Sequence, residues 1–364
     1  MKILFLAAYS NLVAASRIKV YQFFPLLEEK GIKCKAICFT PSFLYRIRLA
    51  SATNKGLLLA YYPLNYAIRF FKTILAILMA PSFDIVFVQE PIIPFGLEKI
   101  LKLVNNNIIF QFTDAVFLES QTGDNFLEKI RLKTLSKYCR RMASVAKCCL
   151  VENDYNKDAV LKICPCVDKI TGPIDTDRYF LKRKEKKDDK IIIGWIGSPF
   201  TTKYLYIIED ALKEISKKYK IVLRLVGARK DFKILEVPCE MKNWTIDTEV
   251  SWLQTFDIGI MPLIDDEWTK GKAGYKLLQY MAMGIPSVVS PVGFNIEIVK
   301  DGFNGFLAGN KSEWVEKLST LIEDKKLREN VGDNARTTIE ENYSLKRAAS
   351  KLSNIFKNTL NNQV

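Results

Sequence analysis

The sequence predicts an α/β protein of two doubly wound, Rossmann-like domains facing a central cleft, with a C-terminal helix returning to the first domain. Three observations carry that expectation. Short β-rich apolar runs alternate with helix-length amphipathic segments, and runs that are apolar on both faces suit strands of a covered parallel sheet. A nearly all-charged stretch, "LKRKEKKDDK", interrupts the rhythm near residue 182, after which it restarts. From Ser312 onward the chain has helical periodicity and no strand signal.

In order, the first series reads "KILFLAA", "CKAICF", "DIVFVQ", "NIIFQFT" and "KCCLVEN". The second reads "IIIGWIG", "IVLRLVG", "DIGIMPL" and "PSVVSPV". Strands alternating with helices argue for a doubly wound fold. The expected division is 1–178 for the first domain, 179–344 for the second and 345–364 for the returning helix. Ligands of such sheets sit beyond the carboxyl ends of the strands.

At 364 residues the chain can form two domains with their own cores. Lys and Arg exceed Asp and Glu by 54 to 40, giving a net charge of +14. That excess favours phosphorylated ligands, nucleic acid or an anionic membrane surface. The basic residues form no clustered aromatic-basic face, which argues against nucleic acid. The eight cysteines lack zinc-type spacing and the chain has no histidine, so buried free thiols of a reduced, cytoplasmic protein are expected and no metal site.

The opening "MKILFLAAYSNLVAASR" reads as a first strand feeding a loop, its apolar run being short for a signal peptide. No later segment reads as an uninterrupted span of roughly twenty apolar residues. The stretch from Gly56 to Phe83 comes nearest and is broken by Pro63, Arg69 and Lys72. It reads as an interfacial surface element or as core helices.

Two segments stand out for chemistry. In "IIIGWIGSPFTTKYL" a buried strand enters Gly197-Ser198, with a helix expected from Thr201 or Thr202 and Lys203 close behind. Backbone amides at such a helix start favour an anion, although a plain strand-to-helix connection fits the same letters. In "KGKAGYKLLQYMAMGIPSVVS" a helix over Lys272–Met283 would align Lys272, Lys276 and Gln279 at i, i+4 and i+7. Gly284 suits the left-handed helix end, and Pro286 prevents continuation.

From Asp257 to Ala308 the chain resembles the donor-binding half of family 4 glycosyltransferases of the GT-B fold, retaining enzymes of the surface-polysaccharide type. "SRIKVYQFFPLLEEKGIKCKAI" and "GPIDTDRYF" resemble the same family at matching places. The resemblance implies a nucleotide-sugar donor, an acceptor held by the first domain, retention of anomeric configuration and no metal or other cofactor. It implies donor-binding roles for Gly197, Ser198, Lys203, Gly271, Lys272 and Gln279. Ser198 stands where the family often has arginine. Gly271 and Gln279 stand where it commonly has two glutamates, for the transferred sugar and the nucleotide ribose. Asp265, Asp266 and Lys272 are neighbours that can take over at Gly271.

Lys276 is then the candidate catalytic cation for the departing diphosphate, because fixed charge helps most where charge develops. Asp114, past a first-domain strand, is the candidate group for an acceptor hydroxyl, and an N-cap role fits it equally. Arg17 and Lys19 are candidates for a phosphate on the acceptor, and Glu90-Pro91 for lining that side. The expected function is a sugar transferase of cell-surface polysaccharide or lipopolysaccharide synthesis, cytoplasmic and peripheral at the membrane, with a lipid-linked or glycan acceptor. The alternatives are a degenerate GT-B binding subunit and a nucleotide-sugar epimerase.

Overall fold

The structure is a computed structural model that describes residues 1–50, 55–118, 126–181 and 190–361. By its contacts the chain divides into two compact units. The first comprises Met1–Pro173, Gly271–Ala273 and Ala348–Val364; the second comprises Ile174–Lys270 and Gly274–Arg347. Most of the charged stretch between the two series, 182–189, lies outside the described residues.

The first unit holds β1 (Lys2–Tyr9), β2 (Lys33–Thr40), β3 (Ile85–Gln89), β4 (Ile108–Gln111), β5 (Cys148–Val151) and β6 (Val167–Lys169). They form one parallel sheet in the order β2-β1-β3-β4-β5-β6. The central strands are buried along their whole length, as apolar runs covered on both faces must be. The C-terminal helix Leu345–Leu360 brings Phe356 against Phe5 and Phe87, each with ring centroids 6.2 Å away.

The helix Lys55–Met79 runs through Pro63. Tyr61, Asn65, Thr73 and Ala76 are buried along one face, while Leu64, Phe71, Leu75 and Leu78 are exposed on another. Contrary to the sequence reading, Tyr61–Ser82 is long and apolar enough to cross a membrane by length and composition. Arg69 and Lys72 fall within it without lowering its apolar character below that mark.

The second unit holds β7 (Ile191–Ile196), β8 (Ile221–Val226), β9 (Cys239–Lys242), β10 (Ile258–Met261), β11 (Ser287–Val289) and β12 (Phe306–Leu307). Its parallel sheet has the order β12-β11-β10-β7-β8-β9. β6, β9 and β12 escaped the sequence reading. They are edge strands of 3, 4 and 2 residues, too short or too polar to show an apolar run.

Helix Tyr275–Ala282 packs its Leu277, Leu278, Tyr280 and Met281 into the core. Tyr280 Oη accepts the Ile196 amide at 3.0 Å, and a Cβ on Gly259 would fall 2.6 Å from the Tyr280 ring. Gly259 therefore makes room for a tyrosine against the sheet. The Arg336 guanidinium donates to the carbonyls of Tyr179 and Ala282, fastening helix Lys325–Asn342 to its neighbours.

Candidate functional site

In the second unit, β7 delivers the chain into Gly197, whose amide donates to Val226 O at 3.0 Å. Lys276 Nζ lies 4.3 Å from the centroid of the Trp195 ring, a cation–π distance. A Cβ on Gly197 would lie 2.9 Å from that Nζ and 2.4 Å from the ring. Positions far apart in sequence, 197 and 276, thus meet, and only glycine leaves the ammonium beside the turn.

Ser198 is exposed, and its turn is tied down by hydroxyls. Thr202 Oγ1 donates to Ser198 O at 3.2 Å and accepts the Arg229 amide at 3.0 Å. The helix expected from Thr201 or Thr202 begins as a 3₁₀ helix, Thr202–Ile208, and the α-helix starts at Glu209. An α-helix N-terminus therefore does not stand at Thr202. Lys203 is exposed, its Nζ 5.8 Å from the Tyr204 ring centroid.

The expected row of Lys272, Lys276 and Gln279 is shorter in the structure. Gly274, at φ 64°, precedes a helix that starts only at Tyr275, so Lys272 sits in the loop. The flexible glycine breaks the helical phase, which spacing alone did not reveal. Gln279 is buried, and its Nε2 donates to Tyr179 Oη at 3.0 Å. Tyr179 in turn donates to Glu249, which also accepts from Trp244 Nε1 at 2.6 Å. Burial, then the Glu249 carboxylate, holds the Tyr179 phenol well above its ordinary range.

Gly271 belongs with the first unit. Its carbonyl accepts Asn156 Nδ2 at 3.0 Å, and a Cβ there would fall 2.6 Å from Ala115 Cβ. Its neighbour Lys272 presents a carbonyl to Asn153 Nδ2 at 3.0 Å. In the second unit, Asp265 pairs with Lys270 at 3.1 Å, and Asp266 Oδ1 accepts the Thr269 amide at 2.7 Å.

Elsewhere in the first unit, Asp114 and Glu90 follow β4 and β3, with φ of 53° and 64°. Left-handed backbone at non-glycine residues is costly and concentrates at functional positions. Glu90 accepts both the Thr113 hydroxyl at 2.7 Å and the Thr113 amide at 3.2 Å. Burial of its carboxyl raises Glu90 to about 7, with the Asp114 charge adding to the rise. Lys19 is buried and forms an ion pair with Glu152, itself buried. Burial lowers Lys19 to about 7, against the opposing pull of Glu90 and Asp114. Arg17 keeps Nη1 buried with no hydrogen-bond partner among the described residues. The sequence reading missed Glu152, because a carboxylate after an apolar strand carries no sign of its partner.

All eight cysteines are free thiols. Among the described residues one group, Cys148, Cys166 and Asp168, places its ligand atoms within 4.8 Å of one another. Three donors are one short of the closed tetrahedral set of a structural zinc site.

Residues 177–338 match the family described as Glycosyl transferases group 1. The chain is 29% identical over 192 residues to an uncharacterized glycosyltransferase of Methanocaldococcus jannaschii, covering 50% of this chain and 48% of that one. It is 23% identical over 183 residues to the capsular polysaccharide biosynthesis glycosyltransferase CapM of Staphylococcus aureus, covering 47% of each. The matched part spans about half the length of these curated relatives. A crystal structure of Anabaena HepE in complex with UDP and glucose superposes with a TM-score of 0.65 at 16% identity, over 98% of this chain and 99% of that one. The architecture is thus the two-domain GT-B fold. Within it, the similarity to the Glycosyl transferases group 1 family covers less than half of the chain and falls, apart from Gly271–Ala273, in the second unit.

Proposed function

We propose that the chain is a retaining, metal-independent glycosyltransferase that moves a sugar from a nucleotide-sugar to a lipid-linked or glycan acceptor. Its setting is cell-surface polysaccharide or lipopolysaccharide synthesis, in the cytoplasm and peripheral at the inner face of the membrane. The family match over 177–338 supports the reaction class. CapM's part in capsular polysaccharide synthesis and the UDP and glucose bound to HepE support the product and donor classes.

One observation carries the reading: Lys276 Nζ stands beside the Gly197 turn, where a side chain at 197 would displace it. A departing nucleoside diphosphate gains charge in the transition state, and a cation already in place stabilises it without reorganisation. Lys203 and Lys272 add charge, the exposed Gly197-Ser198 turn adds the Ser198 hydroxyl, and Gln279 offers the ribose its amide oxygen and the N–H not given to Tyr179. The Gly271 backbone takes the place of a sugar-side carboxylate. Asp114 orients the acceptor hydroxyl or accepts its proton, with Arg17 toward an acceptor phosphate and Lys19 holding charge balance behind it.

The test measures nucleoside diphosphate release from a panel of nucleotide-sugars with membrane lipid as acceptor. Lys276→Ala should lower kcat by about 10²–10³, the scale of a single lost oxyanion donor. Undiminished turnover would remove Lys276 from the mechanism. Donor binding without turnover would favour a degenerate subunit, and release of an epimerised sugar would favour an epimerase.

A further inference from the structure

The first unit contains a cavity of about 350 Å³, whose lining includes the Glu90-Pro91 pair singled out in the sequence. Three guanidinium groups line it, Arg48, Arg69 and Arg131, from three separate helices. Six tyrosines share the lining, and Glu90 is its carboxylate. Its volume falls within the range of small-ligand pockets, roughly 300–1,000 Å³.

We propose that this cavity, rather than Arg17, holds the phosphoryl group carried by the acceptor. A phosphoryl group has three oxygens to share among several guanidinium forks, whereas a carboxylate is satisfied by one fork. Arg69 supplies the second observation. Its Nε is buried with no hydrogen-bond partner among the described residues, and buried donors ordinarily have one. Burial raises Tyr45, Tyr61 and Tyr66, so their hydroxyls remain donors toward an anion. Glu90, raised to about 7 by burial, carries only part of its charge at neutrality and opposes an anion less than an ordinary carboxylate would. Among the described lining residues the three arginines outnumber this one carboxylate.

The bound group's role as acceptor rests on the transferase reading above; its binding chemistry does not. The experiment uses the full chain saturated with a nucleoside diphosphate, so that phosphate probes cannot enter the donor site. Calorimetric titration compares a prenyl phosphate in detergent micelles with a hexose phosphate in solution, and each with its unphosphorylated counterpart. We expect a phosphorylated probe to bind at least tenfold more tightly than its alcohol, and Arg69→Gln to abolish that preference. Arg131→Gln, at an exposed position where folding is not at issue, should weaken it by about tenfold. Preference for the micellar probe identifies a lipid head, and preference for the soluble one identifies a phosphosugar. Equal binding of phosphorylated and unphosphorylated probes, or wild-type binding by both variants, overturns the proposal. Arginine-dependent binding without turnover of any donor would uphold the cavity while sinking the transferase reading.

Discussion

At the scale of single residues, glycine at 271 and glutamine at 279, where the sequence resemblance implies glutamates, have physical reasons. Gly271 has no room for a side chain, because a Cβ would meet Ala115 Cβ at 2.6 Å and the Ala115 amide nitrogen at 2.7 Å. Gln279 donates to a tyrosine whose own proton goes to Glu249, and an ionised glutamate could not make that donation. Both substitutions were visible as letters, but their neighbours were not, since those come from distant parts of the chain. The buried charges make a further difference that pH exposes. Glu90 is raised from 4.5 to about 7, so the folded chain holds more protons than the unfolded one between those values. Its contribution to stability is present below pH 4.5 and lost as pH rises to 7. Lys19 is lowered from 10.5 to about 7, so its contribution is present above 10.5 and lost as pH falls to 7. These two residues together put a trough in stability near neutrality. Glu90→Gln should flatten the decline between pH 5 and 7 in urea unfolding; an unchanged slope would show that Glu90 is not its source.

At the scale of elements, apolar runs located the central strands because burial on both faces leaves few polar letters in them. The edge strands were not legible for the converse reason: Val167–Lys169 and Cys239–Lys242 are half-buried, and their pairing partners rather than their composition make them strands. Helix Tyr275–Ala282 was legible at its end, where Gly284 adopts φ 66°, and misread at its start, where Gly274 adopts φ 64°. The helix Lys55–Met79 presents another kind of case. Its exposed Phe71 and Leu78, at 70% and 73%, contribute little to packing. Phe71→Ser with Leu78→Ser should therefore change stability by about 0.5 kcal/mol or less each. The double variant should lose sedimentation with anionic vesicles if the helix lies on the membrane surface. Wild-type sedimentation by that variant would remove the helix from any membrane role.

At the scale of the whole molecule, the two-sheet plan was legible because the strand–helix rhythm restarts after a charged break. The arginine cavity was not, because Arg48, Arg69 and Arg131 share no motif and are joined only by the fold. The C-terminal helix was legible as a helix, and Phe356 is the largest of the side chains it buries against the first unit. Phe356→Ala should cost about 3–5 kcal/mol, as large aromatic truncations in cores do. Hydrogen exchange should then quicken in β1 and β3 while β7 and β8 keep their protection. Equal quickening in both sheets would mean that the units do not unfold separately.

The discontinuity of the first unit bears on how the chain is made. Its sheet is complete once residue 173 has been synthesised, yet its share of the chain also includes Gly271–Ala273 and Ala348–Val364. A ribosome delivers Phe356 only after the second unit, so Phe5 and Phe87 lack its ring throughout the synthesis of that unit. During that interval part of the first sheet's aromatic surface stays open, and the helix Leu345–Leu360 acts as the latch that closes over it.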